Sequence, residues 1–514
     1  MTSTITPYRP GARVGRDGFR QLLRAEWTKF RTVRGWVLGM AAAALAMVVF
    51  GLLAIAGGAA HGGAPPVPRG PGGEAVNDSF FFVHQVLEGD GSITVPVSSL
   101  TDVTGLGPQG HAPGISPWAK AGLIVKEGLA QGSAYAAVMV TGAHGVRMQY
   151  DYTHDVAGIA GAVSTQSPRW LRLVRSGDMI TGYDSADGIS WVRVGTARLA
   201  GLASTVQAGL FVASPEAMSG SGVGAGTSPA VAAAGFGPVG LRGQWPGGGW
   251  KGEQLGGGGT SGSYTNTTNG GFKRSGGGFT VTGAGDIAPV VGGLALGPGF
   301  TIENFLVGAF AGLIVVIVVG TVFITAEYRR GLIRTTLAAS PRRARVLAAK
   351  AIVLGSLAFA GGLIAAAAAI PLGERRARAI GFRVIPVTSL TELRVVAGTA
   401  LLLAVAGVLA LAIGAILRRS AAAVAIVVAA TVLPYILAVS GILPAGPADW
   451  VLRVTPAAGF AIQQSLPRYT QVISTYTPSS GYFPLAPWAG FAVLCGYAAL
   501  AFGTAVVLLR RRDS

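Results

Sequence analysis

Residues 326–350 read AEYRRGLIRTTLAASPRRARVLAAK. Six arginines (Arg329, Arg330, Arg334, Arg342, Arg343, Arg345) stand there against one acid, Glu327. An apolar run lies on either side. Each is long enough to cross a bilayer, whose core of about 30 Å takes roughly 20 residues of helix. A short basic segment between two such runs is a loop on the cytoplasmic face, where Lys and Arg collect.

Working outward, six spans are predicted, at 36–57, 305–325, 349–370, 395–417, 421–442 and 488–509. Trp36 and Trp488 mark span ends, as interfacial aromatics do. Eight Lys/Arg fall in residues 1–35, Arg418 and Arg419 separate spans four and five, and Arg510, Arg511 and Arg512 follow span six. An even number of spans puts all of these on the cytoplasmic side with the 326–348 loop, so both termini are expected in the cytoplasm. One stretch opposes the rule: GERRARAIGFR, 373–383, falls outside. The first apolar run is too long, and its basic leader too extended, for a cleaved signal peptide.

Composition agrees. Half of the 514 residues are hydrophobic and 12% are charged, against about a quarter in soluble domains. The net charge of +18 flanks apolar runs instead of forming one patch, which argues against a nucleic-acid partner. The single cysteine, Cys495, lies in an apolar run and forms no internal disulfide. No Cys/His spacing suggests a metal site.

The leader before span one reads as an amphipathic helix. Phe19, Leu22, Leu23, Trp27, Phe30 and Val33 share a face at helical spacing. Glu26 interrupts that face, and Lys29 three residues on is its natural partner. Such a helix is expected to lie in the membrane interface.

Residues 58–303 lack a long apolar run and are expected outside the cell. A Gly/Pro-rich linker (58–75) precedes short alternating runs such as SFFFVHQV, SITVPVSSL, YAAVMVT and SWVRVG. Many short strands with regular turns imply an all-β sandwich, jelly-roll-like, over 76–217. Asp187-Gly188 marks one hairpin. Residues 218–277, dense in glycine, read as a flexible insertion within a 218–303 segment, with one closing strand near 277–289. The fold class is therefore α+β multidomain: a six-helix membrane bundle (spans 2–6 within 304–514) with a β-sandwich between spans one and two.

Two resemblances follow. SPWAKAGLIVKE, GVRMQY, WLRLVRSGDMITGYDSADGISWVRVG and VQAGLFVAS resemble the concanavalin-like lectin/glucanase sandwich, over about 76–213. Glycosidases need two carboxylates flanking the bond. Glu88 and Asp90 are present but the further glutamate of the glucanase pattern is missing, so no glycosidase is expected. The resemblance leaves an extracellular glycan as a partner, with Trp118, Tyr150, Tyr183 and Trp191 as candidate contacts. LLRAEWTKFRTVRGW, EYRRGLIRTTLAASPRRARVLAAK and VTPAAGFAIQQSLP resemble the permease subunits of type-2 ABC exporters of high-GC Gram-positive bacteria, over 17–57 and 300–514. That implies a bacterial plasma-membrane exporter, dimeric with itself or a second permease. It also implies an elbow helix before span one, and a span 2–3 loop that docks a separate ABC ATP-binding subunit. Glu327, Tyr328, Arg329, Arg330, Gly331, Arg334, Thr335 and Thr336 are the expected docking residues.

The chain has no ATP site of its own. A phosphate-cradling loop needs Gly-Lys-Ser/Thr, and none of the six lysines (29, 120, 126, 251, 273, 350) follows a glycine. Cofactor and metal are expected to be absent here, with ATP on the partner. Nearly uncharged spans favour an amphipathic or hydrophobic cargo, because ion-coupled carriers keep charges at midplane. The alternative is a membrane-anchored sensor or wall-binding module without transport. Within 326–350, Gly331 is expected to break the helix. Ser340 and Pro341 would cap and start the next one, with Arg342, Arg343 and Arg345 facing lipid headgroups.

Overall fold

The computed structural model describes residues 18–56, 67–102, 115–161, 163–219, 226–228, 230–256, 270–291, 299–329, 331, 342–440, 442–474 and 476–512. The helices are α1 (Phe19–Thr32), α2 (Arg34–Ala56), α3 (Ala309–Arg329), α4 (Arg343–Ala379), α5 (Ser389–Leu417), α6 (Ser420–Thr431), α7 (Leu433–Val439), α8 (Ala445–Val454) and α9 (Pro487–Arg512). Among the described residues, six stretches are long and apolar enough to span a membrane: α2, Ile302–Arg329, α4, α5, Ser420–Val439 and α9. Spans two and four are central, with 61% of their most apolar window buried, against 22–33% for the others.

The helices differ from the apolar runs at their ends. Span two opens with a tight turn, Ile302–Leu306, whose Thr301 and Asn304 cap each other, before α3 begins at Ala309. α4 continues through Pro371 to Ala379, well beyond the 349–370 run. Span five breaks at Val432, because Pro434 supplies no amide hydrogen and closes the first helix. α1 and α2 are separated only by Val33. Span one meets span two closely: a Cβ on Gly308 would collide with the Met47 carbonyl oxygen. In lipid such small-residue contacts hold helices together, since apolar faces gain nothing by leaving lipid.

Between α2 and α3 lie the strands β1 (Val76–Asp78), β2 (Phe80–Asp102), β3 (Lys120–Lys126), β4 (Tyr135–Thr141), β5 (Val146–Tyr150), β6 (His154–Ala157), β7 (Arg169–Ser176), β8 (Met179–Ser185), β9 (Val192–Arg198) and β10 (Thr205–Ala213). The series continues with β11 (Ala217–Ser219), β12 (Gly226–Ser228), β13 (Ala232–Phe236), β14 (Gly240–Gln244), β15 (Lys251–Leu255), β16 (Gly271–Ser275), β17 (Gly278–Gly283), β18 (Ile287–Pro289) and β19 (Gly299–Phe300). β20 (Arg383–Val384) follows α4.

The organiser is β2, 23 residues long. Its first part pairs antiparallel with β10, which leads to β3, β4, β5 and β6; from Gly91 to Val97 it pairs with β7, which leads to β8 and β9. The two halves pack face to face: Val95, Val138, Met148, Leu171, Leu173, Ile180 and Leu210 share one buried core.

Three expectations are corrected here. SFFFVHQV and SITVPVSSL are one strand, not two. Glu88-Gly-Asp-Gly looks like a turn, yet Gly89 takes φ +63° and lets the chain run on while its pairing partner changes. The Gly-rich 218–277 stretch is not simply an insertion. β13, β14 and β15 each pair with β2, so the sandwich extends past 217. Glycine density around them hid these strands: β13 buries only the small Ala232 and Ala234 with Phe236, and β14 and β15 are short and polar but pair with β2. The closing stretch near 277–289 is two strands, β17 on β13 and β18 on β1.

The β domain rests on one end of the bundle. β19 pairs parallel with β20, so the chain entering span two is tied to the chain leaving span three. Ala75, Val290 and Ile385 form a small buried cluster with Val67 and Leu466 against it. The basic stretch 373–383 thus sits at the β-domain end.

Candidate functional site

The opposite end of the bundle gathers the charges. α1 lays Phe30 (3% exposed) against Trp36 and Phe323, with ring centroids 5.9 and 5.4 Å away. Leu23 packs on the same cluster; Phe19 and Leu22 are half-buried; Trp27 is 46% exposed. One turn of this face carries Glu26, which is buried. A buried carboxylate needs partners, because an isolated one costs far more than an ion pair returns.

Two lysines supply them. Lys350 Nζ, fully buried about two turns into α4, donates to Glu26 Oε2 at 2.6 Å and to Glu327 Oε1 at 2.6 Å. Lys29 Nζ donates to Glu26 Oε1 at 2.8 Å and to Glu327 Oε1 at 3.1 Å. Lys350 also stands 4.5 Å over the Phe323 ring. Two acids and two bases therefore join three separate segments: the leader helix, the end of span two and the start of span three. The Lys29 ammonium is held above its usual range. Burial alone would lower it, but the Glu26 hydrogen bond and the charges of Glu26 and Glu327 outweigh that.

The remaining docking residues divide. Tyr328 is half-buried, with the Arg418 guanidinium 4.7 Å over its ring; Arg418 caps α5 in a left-handed conformation, φ +56°. Arg329 is exposed. Gly331 has φ +68° just after α3 ends, a conformation that glycine adopts without strain. Arg330, Arg334, Thr335 and Thr336 lie outside the described residues, as do Ser340 and Pro341. α4 itself starts at Arg343 with Arg342 at its N-cap and no side-chain cap, later than a Ser340-Pro341 start.

The sequence missed Lys350 as a site residue. Its signal was present: a lysine within the apolar run of span three must find an acid, and Glu327 and Glu26 are the acids on the neighbouring segments. Arg418 carried no comparable signal, because its contact with Tyr328 is purely tertiary.

In the β domain, Trp118 is buried and stacks on His144 at 4.0 Å, with Arg147 at 5.6 Å. Tyr150, at the other end of β5, is half-buried against His154. Tyr183 and Trp191 are half-buried on the other sheet. Tyr183 lies opposite Arg172, whose guanidinium stacks on Trp191 at 3.8 Å and donates to Thr94 Oγ1 at 3.0 Å. The four aromatics thus form two groups. Glu88 and Asp90 are exposed, and Asp90 accepts from Gly177 N at 2.7 Å. Among the described residues no cluster of His, Cys, Asp and Glu has metal-binding form.

Comparison with known proteins gives one strong result. The family model for ABC-2 family transporter proteins matches residues 135–514. The match begins inside the β domain, so α1 and span one lie outside it. No curated protein matches the chain. Two solved structures bear a faint likeness. One is a functionally unknown protein from Saccharomyces cerevisiae, with 13% identity over 29% of this chain and 72% of that one, and a TM-score of 0.21. The other is scytalido-glutamic peptidase with a transition state analog inhibitor, with 11% identity over 40% of this chain and 98% of that one, and a TM-score of 0.24. At those scores neither bears on fold or function. The family match, over most of the chain, agrees with the six apolar helices and the inserted β domain. The chain belongs to the ABC-2 transporter family as a multi-pass membrane permease component, a kind of subunit that in general works with an ATP-binding partner.

Proposed function

We propose that this permease is an exporter in a bacterial plasma membrane, and that a separate ATP-binding subunit docks on the segment from Glu327 to Thr336. The observation that carries this reading is the buried quartet Glu26, Lys29, Glu327 and Lys350. It ties the end of span two, the start of span three and the leader helix into one unit. A push on the loop between Glu327 and Lys350 is then felt by three membrane segments together. The basic residues at this end support a cytoplasmic position for it and for both termini. The β domain then faces outward. Cargo is amphipathic or hydrophobic, in keeping with spans that carry little charge.

The outer spans leave apolar surface for lipid and for a second permease, identical or different. Among the aromatics of the β domain, Tyr183 and Trp191, with Arg172 beside them, are the best placed to meet an extracellular glycan. The chain itself holds no ATP or other cofactor.

The test is purification of the full chain in mild detergent from its own cells, with mass spectrometry for proteins carrying a phosphate-binding Gly-Lys-Ser/Thr loop. An ATPase should co-purify with wild type. Lys350→Met should lower its ATPase stimulation, while Arg375→Gln, at the other end of the bundle, should not. Absence of any such ATPase, with no effect of Lys350→Met on cell phenotype, would favour an anchored sensor.

A further inference from the structure

One cavity stands apart from the quartet. It has a volume of about 380 Å³ and is lined by Arg342, Arg343, Ala344, Arg345 and Arg510. Its residues come from the start of α4 and the end of α9, which are 165 or more positions apart in sequence. Arg343 holds the two helix ends together: its Nη1 donates to the carbonyl oxygens of Leu509 at 2.9 Å and Arg510 at 3.0 Å. Those carbonyls are the unpaired acceptors at a helix C-terminus. Among the described residues, Arg342, Arg345 and Arg510 have no acidic partner. Cations that converge on one cavity repel one another and attract an anion.

The position selects the anion. Directly below the arginines, both helices become apolar and enter their spans (349–370 and 488–509). The cavity therefore lies where hydrocarbon gives way to water, at the height of phospholipid phosphates. Guanidinium matches phosphate oxygens in a planar two-bond geometry, and the amides at the start of α4 add positive potential.

We propose that this cavity is a binding site for the phosphate headgroup of an anionic phospholipid, seated between spans three and six. It differs from general attraction of a basic loop to a membrane because Arg510, from span six, completes it. The site depends on the reading of α4 and α9 as membrane spans and not on the ATPase reading. It lies seven residues, about 10 Å of helix, before Lys350, so the lipid holds the start of span three beside the quartet.

The experiment uses the full chain in zwitterionic detergent. Cardiolipin, dioleoylphosphatidylcholine and inorganic phosphate are titrated separately, with unfolding temperature and lipid retained in native mass spectrometry as readouts. Cardiolipin should raise the unfolding temperature and be retained; phosphatidylcholine and millimolar phosphate should do neither. Each of Arg342→Gln, Arg345→Gln and Arg510→Gln should weaken cardiolipin binding about five-fold, the worth of one basic residue at an anionic surface. Arg375→Gln with Arg376→Gln, at the β-domain end, should leave it unchanged. Equal loss with that control pair, or no loss with Arg510→Gln, would overturn the site. Inorganic phosphate binding as tightly as cardiolipin would overturn the lipid assignment. If the Arg345 variant does not fold, Arg510→Gln alone decides, since that side chain lies beyond the apolar part of α9.

Discussion

Lys350 Nζ lies 2.6 Å from Glu26 Oε2 and 2.6 Å from Glu327 Oε1, so one buried ammonium joins residues 324 and 23 positions away. Removing it leaves two buried carboxylates to share the one, partly exposed, ammonium of Lys29. Lys350→Met should therefore destabilise the chain by about 3–5 kcal/mol, the cost of leaving a buried charge unpaired. Adding Glu26→Gln and Glu327→Gln to it should recover most of that loss. Thermal unfolding in detergent gives the values; additive losses in the triple variant would show that the residues do not act as a unit.

Lys29 should matter less. It is 36% exposed and so is partly screened. Lys29→Gln should cost about 1 kcal/mol or less, in the range of exposed pairs. A drop as large as that of Lys350→Met would contradict the geometry.

The pH response of this tie has a definite sign. The Lys29 value is raised from its usual 10.5. A raised lysine contributes stability that is complete below that value and is lost as pH climbs through the raised one. The contact of α1 with the bundle should hold from neutral pH to about 10 and loosen only beyond. Hydrogen exchange along α1 as a function of pH would measure it, and Lys29→Gln should remove the alkaline loosening.

The β domain has its own buried pair. Lys126 Nζ donates to Asp78 Oδ2 at 2.7 Å, and the same oxygen accepts from Gly132 N and Tyr152 OH at 2.8 Å each. Lys126→Met should cost about 3–5 kcal/mol by stranding Asp78, and Tyr152→Phe about 1–3 kcal/mol by removing one hydrogen bond to a charged group. Unfolding followed by tryptophan fluorescence checks both.

Gly308→Val should force span one from span two, since the Met47 carbonyl occupies the added methyl's place. Overpacking of this kind costs about 1–3 kcal/mol. Gly361→Ala in α4, where a Cβ meets nothing within 4 Å, should be neutral or slightly stabilising by the same unfolding assay.

The spans were legible because lipid imposes one rule on every crossing segment: enough apolar residues and an internally satisfied backbone. Where the rule weakens, the reading weakened. α4 runs on to Ala379 because helix geometry tolerates the charges of 374–378 once they leave the apolar layer. The strands β3 to β5 and β7 to β10 were legible from short apolar runs bounded by turn residues; β6, four residues long and polar, was not. β13, β14 and β15 were not, for they are short, lie in a Gly-rich stretch and are set by pairing with β2.

The sequence by itself determined the six crossings, the inserted β domain and the pairing of Glu26 with Lys29, since each follows from local periodicity or spacing. Only the tertiary structure decided that Glu327 and Lys350 complete that pair, that Tyr328 lies under Arg418, and that Arg510 faces Arg342 to Arg345. These relations join residues distant in the chain. Each is fixed by the need to pair a charge, or to balance several, where helix ends meet.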